Sequence, residues 1–168
     1  MAISTEAIRE LRDKTGAGIM DCRRALEQAD GDQGKAMQIL QQQGLERMEK
    51  KAGRVARQGV VEAYIHAGGR IGAMVELNCE TDFVARDDGF RALAREIAMQ
   101  IAATAPEYVA PEDAPPELSD DERKSKVLLL QGYIKNERQS VKDLISERTA
   151  RYGENVRVGR FARFELGA

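Results

Sequence analysis

The sequence has no tryptophan, one histidine, two cysteines and four prolines in 168 residues, and aromatic side chains make up only 5% of it. Each shortage excludes something. Cys22, Cys79 and His66 cannot complete the four Cys/His ligands of a structural zinc site. Two cysteines so far apart in the chain point instead to reduced thiols in a cytoplasmic protein. His66 has no companion nucleophile motif of the G-x-S-x-G kind, and a catalytic site needs a constellation rather than a lone ring. The longest aliphatic run is Val127-Leu128-Leu129-Leu130, far too short to cross a bilayer. The start, Met1-Ala2-Ile3-Ser4-Thr5-Glu6, has no basic stretch followed by an apolar one, so no secretory leader is expected. With Lys+Arg 26 against Asp+Glu 28, the net charge of -2 argues against a chain built to wrap nucleic acid. What remains, 42% hydrophobic and 32% charged, is the composition of one globular domain or one domain with a small satellite.

Three helical patterns fill the first fifty residues. Ser4 caps the first, with Ile3 placed to staple onto Ile8, and Ala7, Ile8 and Leu11 share a face that ends ahead of Thr15-Gly16-Ala17-Gly18. The second carries Ile19, Cys22, Leu26 and Ala29 on one face and closes at Asp30-Gly31; Asp32 caps the third, with Ala36, Ile39 and Leu40 inward. Arg47, Lys50, Lys51, Arg54 and Arg57 follow. They read as a solvated helix end and linker, because no aromatic residue between 40 and 60 offers a base a stacking surface. At Gly59 the period changes to two. Val61, Ala63 and Ile65 share one strand face, Gly68-Gly69 turns the chain, and Ile71, Ala73, Val75, Leu77 and Cys79 share a face of the returning strand.

An amphipathic helix with Phe90, Leu93, Ala94, Ile97 and Ile101 comes next, behind an Asp87/Asp88 cap. Pro106, Pro111, Pro115 and Pro116 mark an acidic surface loop. Ser119 and Glu122 predict a capping box for a helix carrying Val127, Leu130 and Ile134. Ser140 and Asp143 start another, with Val141, Leu144 and Ile145 inward and Gly153 at its end. A last strand runs from about Asn155 to Leu166, with Val156, Val158, Ala162, Phe164 and Leu166 on its apolar parity and Phe161 and Arg163 on the other. The fold class is therefore α+β: a three-helix bundle with its linker over residues 1–53, and an α+β core over 54–168 whose three-stranded antiparallel sheet is packed by helices.

No motif of catalytic or cofactor chemistry survives inspection. Gly31-Asp32-Gln33-Gly34-Lys35 resembles a phosphate-binding loop but lacks the leading glycine, the following Ser/Thr and the preceding strand. Gly68-Gly69-Arg70-Ile71-Gly72 lies inside a hairpin. Glu80 with Asp82, or Asp87 with Asp88, fits no calcium-loop spacing. No metal and no cofactor are expected. One junction stands apart, Asn78-Cys79-Glu80-Thr81-Asp82-Phe83-Val84-Ala85, where a strand gives way to a short turn. Either Asp82 caps a helical turn and Phe83 joins the core, or Phe83 is an exposed apolar wedge beside a charge.

Leu11-Arg12-Asp13-Lys14-Thr15-Gly16-Ala17-Gly18-Ile19-Met20-Asp21-Cys22-Arg23-Arg24-Ala25-Leu26 resembles the N-terminal signature of the translation elongation factor Ts family. Cys79-Glu80-Thr81-Asp82-Phe83-Val84-Ala85 resembles its second signature, and Gly153-Glu154-Asn155-Val156 with Arg160-Phe161-Ala162-Arg163-Phe164 its closing strand. The abbreviated centre looks like a short form with one core module. The resemblance implies a bundle similar to ubiquitin-associated domains and a guanine nucleotide exchange factor, with no enzymatic side-chain chemistry of its own. It would bind elongation factor Tu, GDP-bound and nucleotide-free. Thr81, Asp82, Phe83 and Val84 would press toward the partner's magnesium site. Leu11, Gly16, Ala17, Gly18, Ile19 and Met20 would form the N-terminal contact. From the sheet edges that a single core leaves unpaired, a homodimer is expected, with Phe161 and Arg163 as interface candidates. A ribosome- or RNA-associated module using residues 47–57 is the alternative, and an enzyme using Glu80 and Asp82 a third; direct nucleic-acid or membrane binding is not expected.

Overall fold

The Ser4 hydroxyl accepts the Ala7 N–H and opens α1, Thr5–Thr15, which Gly16 closes in the left-handed conformation. The computed structural model describes residues 3–168, so the Met1-Ala2 start of the bundle segment lies outside the described residues. α2 spans Ile19–Gln28, and α3, opened by the Asp32 carboxylate accepting from Lys35 N–H, runs over Gln33–Lys51. Leu11, Cys22, Ala25, Leu26, Ala29 and Ala36 form the closed centre of this bundle. Ile19, expected on the inner face of α2, is exposed instead, and Ala25 takes the inward place. The first residue of a helix that follows a two-glycine loop lies at the rim of the bundle.

The core begins with β1, Gln58–Ile65, which pairs antiparallel with β2, Ile71–Cys79, through the Gly68-Gly69 turn. The one-turn helix α4, Asp82–Ala85, leads to α5, Asp88–Thr104, capped by Asp87. After the proline-rich loop, with its single 3-10 turn at Pro111–Asp113, α6 covers Asp120–Lys126. The predicted capping box of Ser119 and Glu122 forms, but the helix does not reach Ile134. Val127 is extended and bridges to Tyr108, Leu128–Leu130 make a 3-10 turn, and Gly132–Tyr133 (β3) pairs with Asn136–Ser140 (β4) as a small hairpin. Val127 and Leu128 are both buried where the chain changes direction. α7, Val141–Tyr152, carries the Ser140/Asp143 capping box and ends at Gly153; β5, Arg157–Glu165, closes the sheet in the order β1-β2-β5. The fold is α+β, a three-helix bundle followed by a core whose three-stranded antiparallel sheet is packed by helices. No helix among the described residues is long and apolar enough to cross a membrane.

The inner face of the sheet packs on α5. Ala73, Val75, Leu77 and Cys79 of β2 meet Phe90, Leu93, Ala94, Ile97 and Ile101 in one buried cluster. From β1 it is Val60, Glu62 and Tyr64 that face inward, with Glu62 drawn to Arg95 at 3.9 Å. Val61, Ala63 and Ile65, its more apolar parity, face outward and are exposed. The last strand holds a second reversal. Leu77 pairs with Val158 but Glu76 with Arg160, so Gly159 is an extra residue and the parity flips. Val158 points inward before the bulge. Beyond it Phe161 packs against the core and Arg163 donates to the Ala102 carbonyl at 3.1 Å, while Ala162 and Phe164 turn out. The expected assignment of Phe161 and Arg163 to the exposed parity is therefore corrected: the bulge exchanges them with Phe164, which is 70% exposed. A side chain at Gly159 would collide with the Asn78 amide oxygen, so the bulge occurs where no side chain obstructs it.

α3 serves both parts of the molecule. Its first half lies in the bundle, whereas Gly44 abuts Ser146 of α7 and Met48 packs on the core cluster. A Cβ at Gly44 would lie 2.9 Å from Ser146 Oγ. Gly44→Val should cost about 1–3 kcal/mol of stability by wedging α3 from α7. Gly53→Ala, with nothing within 4 Å, should stay within about 0.5 kcal/mol of wild type. Thermal unfolding monitored by circular dichroism checks both.

Candidate functional site

The antiparallel ladder ends at Cys79, opposite Gln58, and at Asn78, opposite Arg157. Glu80 and Thr81 lie beyond it, and their backbone groups must find partners elsewhere. Thr81, in extended conformation, is the residue that caps α4: its hydroxyl accepts the Val84 N–H at 3.4 Å, and Asp82 is already inside the turn. Val84 and Ala85 are buried and anchor the turn from below. Phe83 is 83% exposed, the most exposed large hydrophobic side chain among the described residues. The core-packing alternative for Phe83 is thereby removed. Asp82 stands beside it, its carboxylate 3.0 Å from the Arg86 guanidinium, an exposed pair of small energetic weight.

This turn is tied to the far end of the chain. Glu154 Oε2 accepts the N–H groups of Glu80 and Thr81, both at 3.0 Å, and Oε1 accepts the Thr81 hydroxyl at 2.6 Å. In return Glu80 accepts the Asn155 N–H at 2.7 Å. The buried Asn155 amide donates to the carbonyls of Ala52 and Arg54, which brings the segment after α3 to the same place. On the other side Tyr152 donates to Asp87 at 2.6 Å, holding that carboxyl below the usual carboxylate range, and its ring meets Phe90 edge-on. Cys79 donates to the Thr81 carbonyl from beneath. Its thiol is pushed up to about 11, by burial first and by the neighbouring Glu154 charge second.

The structure thus gathers Thr81, Asp82 and Phe83 on one surface turn with Val84 as its root. The N-terminal residues lie elsewhere, in the bundle, and no hydrogen bond or ion pair among the described residues joins them to the turn. Leu11 is wholly buried there and supports the loop from inside. Gly16 and Gly18 are exposed, Ala17 is half-buried, and Ile19 and Met20 project as bare apolar side chains, Met20 61% exposed. Ala17 also lines, with Met37 and Leu40, a cleft of about 350 Å³ between the bundle, α7 and β4. Of the basic stretch, Arg47 is engaged by a two-pronged pair with Asp21, both contacts 2.9 Å, and Arg54 leans to Glu80 at 3.6 Å. Sequence reasoning missed Glu154. The available signal was Gly153, a left-handed helix stop that fixes where the next carboxylate must stand.

A third feature is the uncovered outer face of the sheet. Val61, Ala63 and Ile65 of β1, Met74 of β2, Ala162 and Phe164 of β5, and Leu166 form an exposed apolar surface across all three strands. Surfaces of this kind mark association sites on soluble proteins.

Comparison with known proteins places these features in context. The sequence model of a family described as "Elongation factor TS" matches residues 25–127. A protein named Elongation factor Ts from Carboxydothermus hydrogenoformans is 50% identical over an alignment covering 98% of this chain and 89% of that protein. One of the same name from Coprothermobacter proteolyticus is 46% identical, covering 99% of this chain and all of that protein.

The thiol beneath the turn gives a pH signature. Because Cys79 titrates near 9 in ordinary surroundings and near 11 in the fold, the folded state holds the proton more tightly. The stabilisation is full below pH ~9 and is lost as pH rises from there through ~11. Denaturant titrations of wild type and Cys79→Ala at pH 8, 9.5 and 10.5 should show the wild type losing more stability across that window. Equal losses would contradict the assignment.

Proposed function

Because the chain belongs to the elongation factor Ts family, we propose that it is a guanine nucleotide exchange factor that binds elongation factor Tu, GDP-bound and nucleotide-free, and speeds GDP release during translation in the cytoplasm. The observation that carries this reading is Phe83. A soluble protein gains nothing in isolation by holding a phenyl ring 83% exposed on a turn anchored from beneath by Val84 and Ala85. Such a ring is suited to an apolar recess on a partner, with Asp82 delivering a negative charge beside it.

Bound nucleotides are held largely by a magnesium ion that bridges the phosphates and neutralises their charge. A carboxylate and a ring pressed in near that ion compete for it and distort the phosphate-binding loop, and GDP affinity falls. Exchange is then linkage: the factor lowers GDP affinity, and GDP lowers the factor's affinity by the same ratio. This chain needs no bound nucleotide, metal or reactive side chain for that role. The bundle supplies a second contact in the proposal. The segment from Gly16 to the exposed Ile19 and Met20 at the start of α2 docks on the partner's GTPase domain, with Leu11 fixing it from within. The two-pronged pairing of Arg47 with Asp21 withdraws one cation from the basic strip, and Arg54 leans toward Glu80, which counts against an RNA-binding strip.

The proposal includes a homodimer. Two copies related by a two-fold axis can lay their outer sheet faces against each other, a sheet-on-sheet contact that buries Val61, Ile65, Met74, Phe164 and Leu166 of both. The Gly159 bulge makes Phe164, not Phe161, the central aromatic of that contact.

Truncating a central interface aromatic costs about 2–4 kcal/mol, or roughly 30- to 1000-fold. Phe83→Ala should therefore cut the release rate of labelled GDP from elongation factor Tu by that order with an unchanged circular dichroism spectrum. A folded Phe83→Ala protein with normal exchange would overturn the reading. For the dimer, light scattering after gel filtration at micromolar concentration should give twice the chain mass for wild type and the single-chain mass for a folded Phe164→Asp. A single-chain mass for wild type would end the dimer proposal.

A further inference from the structure

We propose that Glu154 is a positioning residue for exchange: from the C-terminal end of α7 its carboxylate holds the turn that carries Asp82 and Phe83 in its working geometry. The inference rests on the exchange reading of Phe83 and adds the residue that makes Phe83 effective. An isolated helical turn of four residues has no stability of its own, because nucleation fixes several dihedrals for a single hydrogen bond. α4 is such a turn, and it stands just past the last ladder pairs of the sheet. Something outside it must hold its first residues, and the hydrogen bonds of the Glu154 carboxylate assign that task to Glu154.

One oxygen accepts both backbone N–H groups that the ladder leaves over, those of Glu80 and Thr81, and the other accepts the Thr81 hydroxyl. That hydroxyl in turn accepts the Val84 N–H, so a continuous relay runs from Glu154 through Thr81 into the turn and fixes the direction of Phe83. Hydrogen bonds to an ionised acceptor are the strong ones. The carboxylate is itself immobilised on both sides. Gly153 ends α7 in the left-handed conformation with its N–H on Thr149 O, and Asn155 is buried and bonded to Ala52, Arg54 and Glu80. Glu154 makes no hydrogen bond to Asp82 or Phe83 themselves; its contacts reach them through Glu80 and Thr81.

The test compares the maximal rate of labelled GDP release at saturating factor, and the half-saturating concentration, for wild type, Glu154→Ala, Glu154→Asp, Glu154→Gln and Phe83→Ala. Removing the acceptor side chain in Glu154→Ala should lower the maximal rate roughly 10- to 100-fold, the scale set by the hydrogen bonds lost, and leave the half-saturating concentration nearly unchanged. Amide hydrogen exchange should quicken at Glu80, Thr81 and Val84 while Val75 and Leu77 keep their protection. Glu154→Asp keeps the charge but falls one methylene short, and should lose rate like Glu154→Ala; it serves where Glu154→Ala fails to fold. Glu154→Gln should recover most of the rate, because one amide oxygen can accept both N–H groups while its NH2 meets the Thr81 oxygen. A Glu154→Ala protein with full maximal rate beside a crippled Phe83→Ala would overturn the proposal while leaving the exchange reading in place. Full rate for Phe83→Ala would sink the exchange reading and the role of Glu154 with it.

Discussion

One apolar seam sets the rest of the architecture: the inner face of β2 pressed against α5. Ala73, Val75, Leu77 and Cys79 on one side and Phe90, Leu93, Ala94, Ile97 and Ile101 on the other are almost wholly buried, and each large aliphatic or aromatic side chain so placed contributes about 1.5–3 kcal/mol. The seam decides which way every neighbouring residue faces. It admits Val60 and Tyr64 of β1 and so turns Val61, Ala63 and Ile65 out. It ends at Cys79, so the next residues emerge at the sheet's end as a turn rooted by Val84 and Ala85, with Phe83 on the solvent side. The exposed ring and the exposed sheet face are two outcomes of the same packing.

Much of this is legible in the residues alone because it is local. The caps at Ser4, Asp32 and Asp87, the boxes Ser119/Glu122 and Ser140/Asp143, the α5 stripe and the Gly68-Gly69 hairpin each rest on contacts within a few positions, and each forms. The misreadings have non-local causes. Alternation reveals a strand's period but not which side is covered, and β1 turns its more apolar side to solvent. The parity of β5 depends on a bulge whose existence only the pairing with β2 discloses. Val127–Leu130 matches helical spacing, yet burial of Val127 and Leu128 is achieved by a change of direction.

The candidate site divides in the same way. Thr81, Asp82 and Phe83 lie within one short motif and were visible as a unit, although their exposure was not. Val84 and Leu11 belong to the same motifs as their exposed neighbours, and only burial separates support from contact. The Gly153 helix stop marks where Glu154 stands, but not its role, since its partners Glu80 and Thr81 come from the other end of the core. In the proposed exchange role the turn works by presentation. The energetic requirement is a rigid, pre-shaped wedge, and a turn of four residues gains that rigidity from the sheet end, the buried root and the carboxylate together.

The central claim is that this chain speeds loss of GDP from elongation factor Tu. The most direct measurement is stopped-flow release of fluorescently labelled GDP from elongation factor Tu, with excess unlabelled nucleotide and increasing amounts of this protein. The account predicts a release rate that climbs with protein concentration to a plateau well above the spontaneous rate. A rate that stays at the spontaneous value, with the two proteins shown to be folded, would contradict it.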